Sequence, residues 1–334
     1  MAAPLRDLGY PDRMTTTQEL HVVFGAGQVG PPLARHLAAA GHRVRLVRRS
    51  DAPSSIPGVE AVRADASDEA AAIEAVRGAT TVYHCMNVAY FAAQWAAELP
   101  PILESLINAA GRARARLVVL DNLYAFGRPA GRKLNEETLF NPCSKKGEIR
   151  ARLHLQLAAA VQRGDVQAVT GRASDFYGPG GVGTHFADRF WPAALAGKPA
   201  TMVVPLETPH TYHFIPDVAA GLAVLGQDPS AAGTFMLPCQ PVQSTRALVD
   251  HLGEALGRPI RATRMSPLLL GGLGLFMPIL RELREMAYQW EEPFEVDDAR
   301  FRTRYGDLAT SRAEAARQSV EWGRTTYGGG AATK

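Results

Sequence analysis

The chain is poor in cysteine, has no large excess of charge of either sign, and lacks a long apolar run. Its 334 residues hold three cysteines, Cys85, Cys143 and Cys239. None stands at metal-ligand spacing from another, and an odd count gives no closed disulfide framework. A metal site is therefore not expected, and a reducing cytoplasmic compartment is the simplest setting. Lys plus Arg number 36 against 33 Asp plus Glu, a net charge of +3. So thin a surplus makes no electrostatic case for nucleic acid or a membrane surface. The most apolar stretch, Ser266 to Leu280, is broken by Gly and Pro. It falls short of the roughly 20 residues that a membrane span needs. A buried or pocket-lining segment is expected there, with contact to a membrane surface the lesser alternative. Residues 1–18 are polar and Pro-bearing, with no apolar stretch for a signal peptide, and read as a disordered arm. Residues 328–334 read as a disordered tail.

What is present is ordinary for a globular protein: 46% hydrophobic and 21% charged residues. Short β-branched runs alternate with longer Ala-rich ones. The pattern predicts strands at 20–24, 43–47, 59–63, 80–85, 115–121 and 166–172. Helices are predicted between them at 29–40, 67–77, 100–111 and 148–163. Strands alternating with helices predict an α/β fold, a doubly wound parallel (Rossmann) sheet. Beyond about residue 178 Pro and Gly become frequent and the rhythm breaks. The chain thus divides into a dinucleotide-binding domain, 19–180, and a smaller, mainly substrate-binding C-terminal region, 181–327, parts of which return to the sheet. A further helix, 244–257, has a Ser/Thr start and a Gly stop.

Residues 22–30 read VVFGAGQVG, a G-x-G-x-x-G turn that follows a strand and opens a helix. Gly25 allows the tight turn, Gly27 lets a pyrophosphate approach the backbone, and Gly30 allows the helix to pack on the strand. Gln28 and Val29 lie inside the turn, where helix N–H groups and the dipole face the phosphates. The second strand ends in Arg48, Arg49 and Ser50, where an NAD site usually carries a carboxylate. Two guanidinium groups and a hydroxyl suit a 2′-phosphate, so NADP(H) is favoured and NAD(H) remains possible. Solvated loop arginines are the plain alternative. Asp65 and Ala66, after the third strand, stand where a side chain could meet the adenine.

Four further segments carry a resemblance: TTVYHCMN (80–87), LVVLDNLYAFG (117–127), GRASDFYGPGG (171–181) and HTYHFIPDVAAGL (210–222). Together with the Gly turn, over roughly residues 20–240, they resemble the extended, atypical short-chain dehydrogenase/reductase family, which holds nucleotide-sugar epimerases, dehydratases and ketone reductases. The resemblance implies an NAD(P)-dependent oxidoreductase. It implies further cofactor contacts at Cys85, Asn87 and Ala173, and substrate contacts at Asp175, Tyr177 and His210.

The sequence departs from the family at its catalytic triad. Members usually carry Tyr-x-x-x-Lys after an Asn-Pro-x-Ser-Pro stretch, whereas this chain reads NPCSKKGEIR. Matched without a gap, Lys146 takes the tyrosine position, Arg150 the lysine position and Asn122 the Ser/Thr position. On that match Lys146 would donate to the substrate oxygen, Asn122 would assist through its amide, and Arg150 would hold the nicotinamide ribose. Tyr124, two residues past Asn122, is the alternative donor or a lining residue. Tyr177 and His84 also read well as packing residues, and Asp175 as a turn aspartate.

Residues 265–290 are expected to form a hydrophobic lid or an intersubunit face, with Ile279, Leu280, Leu283 and Met286 on one side of an amphipathic helix. A core-packing helix is the plain reading of the same stripe. An apolar lid would favour a small apolar substrate, lipid-like, aromatic or polyketide, over a nucleotide sugar, and a homodimer is possible. The expected function is therefore NADP-dependent interconversion of a carbonyl and an alcohol. Alternatives are a nucleotide-sugar epimerase or dehydratase with bound NAD, and a non-catalytic dinucleotide sensor.

Overall fold

The computed structural model describes residues 19–51, 54–266 and 277–328. The arm at 1–18, the last six residues of the tail and much of the expected lid segment lie outside them. Seven parallel strands form the central sheet: β1 (Leu20–Phe24), β2 (Arg43–Arg48), β3 (Val59–Arg63), β4 (Thr81–His84), β5 (Arg116–Asp121), β6 (Gln167–Arg172) and β7 (Gly233–Met236). Their order is β7-β6-β5-β4-β1-β2-β3, so it reverses between β1 and β4. In open parallel sheets the crevice at such a reversal, beyond the carboxyl ends of the strands, is where ligands bind.

Helices cover both faces, which is why these strands are apolar nearly throughout rather than alternating. On one face lie α2 (Glu69–Ala75), α3 (Ala92–Ala113) and α4 (Lys145–Arg163), sealing a core that contains Phe24, Val82, Leu106 and Leu117. On the other lies α1 (Gly30–Ala39), with α6 (Ile215–Gln227) beside it, over Val23, Tyr83, Val118 and Val169. Between α4 and α6 comes α5 (Phe190–Leu195), which packs with α7 (Thr245–Leu256) and the closing helix, Arg312–Tyr327, around Trp191, Leu252 and Val320.

Local chemistry sets the helix starts. Asp68 accepts the N–H groups of Ala70 and Ala71, and Ser144 accepts that of Gly147 at 3.0 Å. The second cap moves the start of α4 from the expected Glu148 back to Lys145, so Lys146 lies in its first turn. The start of α3 is also corrected. It was expected at Pro100, a good first-turn residue, but the helix begins at Ala92 and carries Pro100 and Pro101 inside it. A continuous buried stripe of Trp95, Leu99, Ile102 and Leu106 holds the turns on either side of the prolines against the sheet. The seventh strand lies beyond the point where the sequence rhythm fails. It is only four residues long and is tied to β6 by the register Gly233 to Val169. The apolar stripe of Pro278–Glu285 is not a core helix, because none of its residues is fully buried.

Trp95 has no exposed surface and stacks on Tyr124 with centroids 6.0 Å apart. Removing so large a buried ring leaves a cavity that the packed layers cannot close. Trp95→Ala is therefore expected to lower unfolding stability by about 3–5 kcal/mol in chemical denaturation. A loss below about 1 kcal/mol would contradict this packing.

Candidate active site

At the reversal of the strand order lies a cleft of about 560 Å³. Gly27, Gln28 and Val29 form part of its floor, and Cys85, Asn87, Asn122 and Ala173 stand at the strand ends. The three glycines of the turn do three different things. Gly25 has a φ of +110°, and a Cβ there would sit 2.9 Å from the Cys85 carbonyl oxygen. A Cβ on Gly30 would lie 1.8 Å from the Gly25 carbonyl oxygen, so only hydrogen fits where helix and turn cross. A Cβ on Gly27 would meet nothing within 4 Å. Its small size keeps open space for a ligand rather than relieving a contact within the fold. With α1 beginning at Gly30 behind the turn, the residues present fit a dinucleotide pyrophosphate.

Strand β2, beside the glycine turn, ends at Arg48 and is followed by Arg49 and Ser50. Asp65 is turned toward its own loop, its Oδ1 accepting from the Ser67 N–H at 2.9 Å and the hydroxyl at 2.8 Å. Those hydrogen bonds, with the Arg49 charge adding to them, hold its carboxyl below the usual range. Ala66 is buried beneath it. Burial pushes the Cys85 thiol up to about 12 and His84 down to about 4, so both are neutral at physiological pH. His84 accepts the Met86 N–H through Nδ1, which makes it a structural residue under the cleft floor.

Asn122, Tyr124 and Arg150 all line the cleft. The Asn122 side-chain oxygen Oδ1 accepts the Tyr124 N–H at 3.1 Å, which leaves its amide hydrogens for a ligand. The Tyr124 hydroxyl lies 3.0 Å from that of Tyr90, a second wall residue. Burial, with the Asp175 charge beside it, pushes the Tyr124 phenol up to about 12. The Arg150 guanidinium donates to Asn87 at 3.1 Å, lies 3.4 Å from Asp121 and caps the Trp95 ring at 4.5 Å. It stands at the cleft wall, where a ribose hydroxyl could reach it.

Lys146 does not line the cleft, which corrects its expected place beside the substrate oxygen. Its side chain is fully buried, and its ammonium is bound by Glu282 and, at 3.0 Å, by Glu285. Both carboxylates belong to α8 (Pro278–Glu285). Two further corrections concern the expected substrate contacts. Tyr177 is buried against Phe214, centroids 5.2 Å apart, and faces the C-terminal core. His210 is buried one layer back, with Nε2 2.8 Å from Asp175 Oδ2. Asp175 itself lines the cleft and accepts the Trp290 Nε1–H at 3.1 Å. Burial raises its carboxyl, but the His210 hydrogen bond and nearby charge outweigh that and hold it below the usual range.

The sequence gives no direct sign of several other wall residues. His185 lies in an irregular loop after the Gly-Pro-Gly turn, and Trp290 comes far along the chain; their rings meet edge to face at 5.1 Å. Ile279 and Leu283 of α8 close one side of the cleft. Both were singled out as part of an apolar stripe, and their spacing was the signal that found them. Away from the cleft, at the opening of β1, Glu19, His21 and His42 bring ligand-type atoms within 4.8 Å of one another. No metal was expected from the sequence, and this group takes no part in the site.

The turn geometry separates two glycine substitutions. Gly27→Val should fold normally and lose the thermal stabilisation that NADPH gives the parent protein. Gly30→Ala should lower the melting temperature without any ligand, because its methyl group has no room. Retained stabilisation by NADPH in Gly27→Val would contradict the placement of the pyrophosphate.

Comparison with known proteins agrees with this construction. The profile of the NAD dependent epimerase/dehydratase family matches residues 21–235. A curated relative, 2′-dehydrokanamycin reductase of Streptomyces kanamyceticus, is 28% identical over 258 residues, covering 73% of this chain and 68% of its own. UDP-glucose 4-epimerase of Thermus thermophilus, solved with NAD, superposes with a TM-score of 0.71 at 18% identity, covering 92% of this chain and 99% of that one. WbmH of Bordetella bronchiseptica, also solved with NAD, superposes with a TM-score of 0.71 at 16% identity, covering 93% and 99%. At those identities the two structures share the fold. Among the described residues no helix is long and apolar enough to cross a membrane. From the glycine turn through β7, this chain belongs to the NAD dependent epimerase/dehydratase family.

Proposed function

We propose that the protein is an NADP(H)-dependent reductase that interconverts a carbonyl and an alcohol on a small, partly apolar metabolite. The observation that carries this reading is that Tyr124, its hydroxyl 3.0 Å from that of Tyr90, lines the same cleft as Asn122, in a chain that lacks the usual Tyr-x-x-x-Lys pair. When bound, the dinucleotide supplies or accepts the hydride. The chain supplies the rest. In the reducing direction Tyr124 gives its proton to the alkoxide oxygen, and the Tyr90 hydroxyl 3.0 Å away can pass a proton to it. The Asn122 amide donates to the same oxygen, and Arg150 holds the ribose. Arg48, Arg49 and Ser50 take the 2′-phosphate, and the named activity of the Streptomyces relative supports reduction over epimerisation.

Three measurements test this reading. Arg48→Ala combined with Arg49→Ala should weaken NADPH at least about tenfold and NADH far less, since one charge-assisted hydrogen bond contributes roughly 1.5–3 kcal/mol. Equal losses for the two cofactors would refute the 2′-phosphate assignment. Tyr124→Phe should lower kcat for NADPH-driven reduction by about 10²–10⁴-fold, assayed on a ketone panel that includes 2′-dehydrokanamycin. Near-normal turnover would remove Tyr124 as the donor. The donor acts in its protonated form, and burial keeps that form up to a pH of about 12. Reduction should then show no loss of kcat from a phenol titrating between pH 8 and about 10. A basic limb in that range that vanishes in Tyr124→Phe would contradict the buried placement.

A further inference from the structure

We infer that Lys146 is a positioning residue that clamps α8 over the cleft, making Ile279 and Leu283 the side chains that select the substrate's apolar part. The inference rests on the proposed reading only in taking this cleft as the substrate site.

Helix α8 has only eight residues, and none of them is fully buried. A helix so short does not hold itself together in water, so its place must be set by contacts outside it. Its apolar anchor is Met286, just past its end, which is completely buried. Its other fixed points are polar. Glu282 receives the Lys146 ammonium and also accepts the Ala92 N–H at 3.1 Å. Glu285 lies 3.0 Å from the same ammonium and accepts the Lys145 N–H. Ala92 and Lys145 are the first residues of α3 and α4. Two carboxylates therefore meet one ammonium and two helix N-termini, each N-terminus equivalent to about half a positive charge. The charges nearly balance, and the ammonium is central because it binds both carboxylates at once.

The same helix turns a different side to the cleft. Ile279 and Leu283 are four residues apart, hence on one face, and both line the cavity. Lys146 stands behind that wall, with Nζ 4.7 Å from the centre of the Tyr90 ring. A lysine at the position where the family resemblance places the reacting tyrosine has thus been drawn away from the reacting atoms by carboxylates more than 130 positions along the chain. Lys146→Met would leave two carboxylates in a partly buried pocket without their shared cation. Their repulsion would release α8, while Arg150, the glycine turn and Tyr124 keep their own partners.

The test is hydrogen–deuterium exchange of the full chain without substrate, followed by steady-state kinetics. In Lys146→Met the amides of residues 279–285 should exchange at least tenfold faster, with β1, β4 and β5 unchanged. Adding Glu282→Gln and Glu285→Gln to that variant should restore much of the protection, because the repulsion is gone. Glu285→Gln alone, which keeps the side chain's size and leaves Glu282 to hold the ammonium, should give a smaller increase, and it serves if Lys146→Met does not fold. With any ketone the parent reduces, Lys146→Met should raise KM about tenfold or more while kcat stays within a few-fold. Leu283→Ala should raise KM without changing the exchange. Unchanged exchange in both Lys146→Met and Glu285→Gln would overturn the clamp. So would a loss of kcat by a hundredfold at constant KM, the mark of a proton donor. The exchange result stands even if no ketone is reduced, so failure of the clamp and failure of the reductase reading are distinguishable.

Discussion

The cleft depends on one buried carboxylate. Asp121 ends β5 and pairs with Arg172 at 3.0 Å and Arg150 at 3.4 Å, and it accepts the Asn122 N–H at 2.8 Å. Arg172 comes from β6, is fully buried, and donates at 2.5 Å to the main-chain carbonyl oxygen of Asn122. Arg150 comes from α4 and reaches the Asn87 side chain after β4. One anion thus joins three neighbouring strands and a helix on one side of the reversal in strand order. Leaving either guanidinium buried without a partner would cost roughly 3–5 kcal/mol. That constraint orients Asn122 and Arg150, and through Asn122 it sets the turn that carries Tyr124.

Around this anchor the two charged residues that the family resemblance places in the triad have parted. Arg150 stays with Asp121 at the cleft wall, while Lys146, one helical turn earlier on α4, is neutralised by α8. A lysine charge is strongly hydrated, and it can be fully buried only where carboxylates replace its water. The two glutamates meet that requirement and in doing so bring α8 to the cleft. On the proposed reading, proton transfer then falls to a hydroxyl that burial keeps protonated. A second carboxylate, Asp175, is held by His210 and Trp290 in the cleft wall. It adds a fixed negative charge that further disfavours ionisation of Tyr124.

Much of the sheet was legible because its strands are continuous apolar runs bounded by turn residues. Each of β1 to β6 falls within about a residue of its expected limits. The glycine turn was legible for a related reason, since its chemistry lies in nine consecutive residues. Asn122 and Tyr124 could be found from the segment that follows β5. The rest depends on distance along the chain. Nothing local to NPCSKKGEIR shows that Lys146 meets carboxylates near residue 285, and a gapless match could assign it only the tyrosine position of the family. His185 and Trp290 lie in stretches without period, so no face could be assigned to them. Tyr177 and His210 sit in segments whose resemblance was sound, yet one turns into the core and the other acts behind Asp175. A motif places a backbone segment near a site, and packing then decides which side chains enter it.

The most direct test of this account is a crystal structure of the protein with NADP+ and a bound ketone or alcohol. The account predicts the 2′-phosphate between Arg48 and Arg49 and the pyrophosphate over Gly27. It predicts the substrate oxygen within hydrogen-bond reach of Tyr124 and Asn122, with Lys146 still bound by Glu282 and Glu285. A complex in which the Lys146 ammonium has left those glutamates and contacts the substrate oxygen would contradict it.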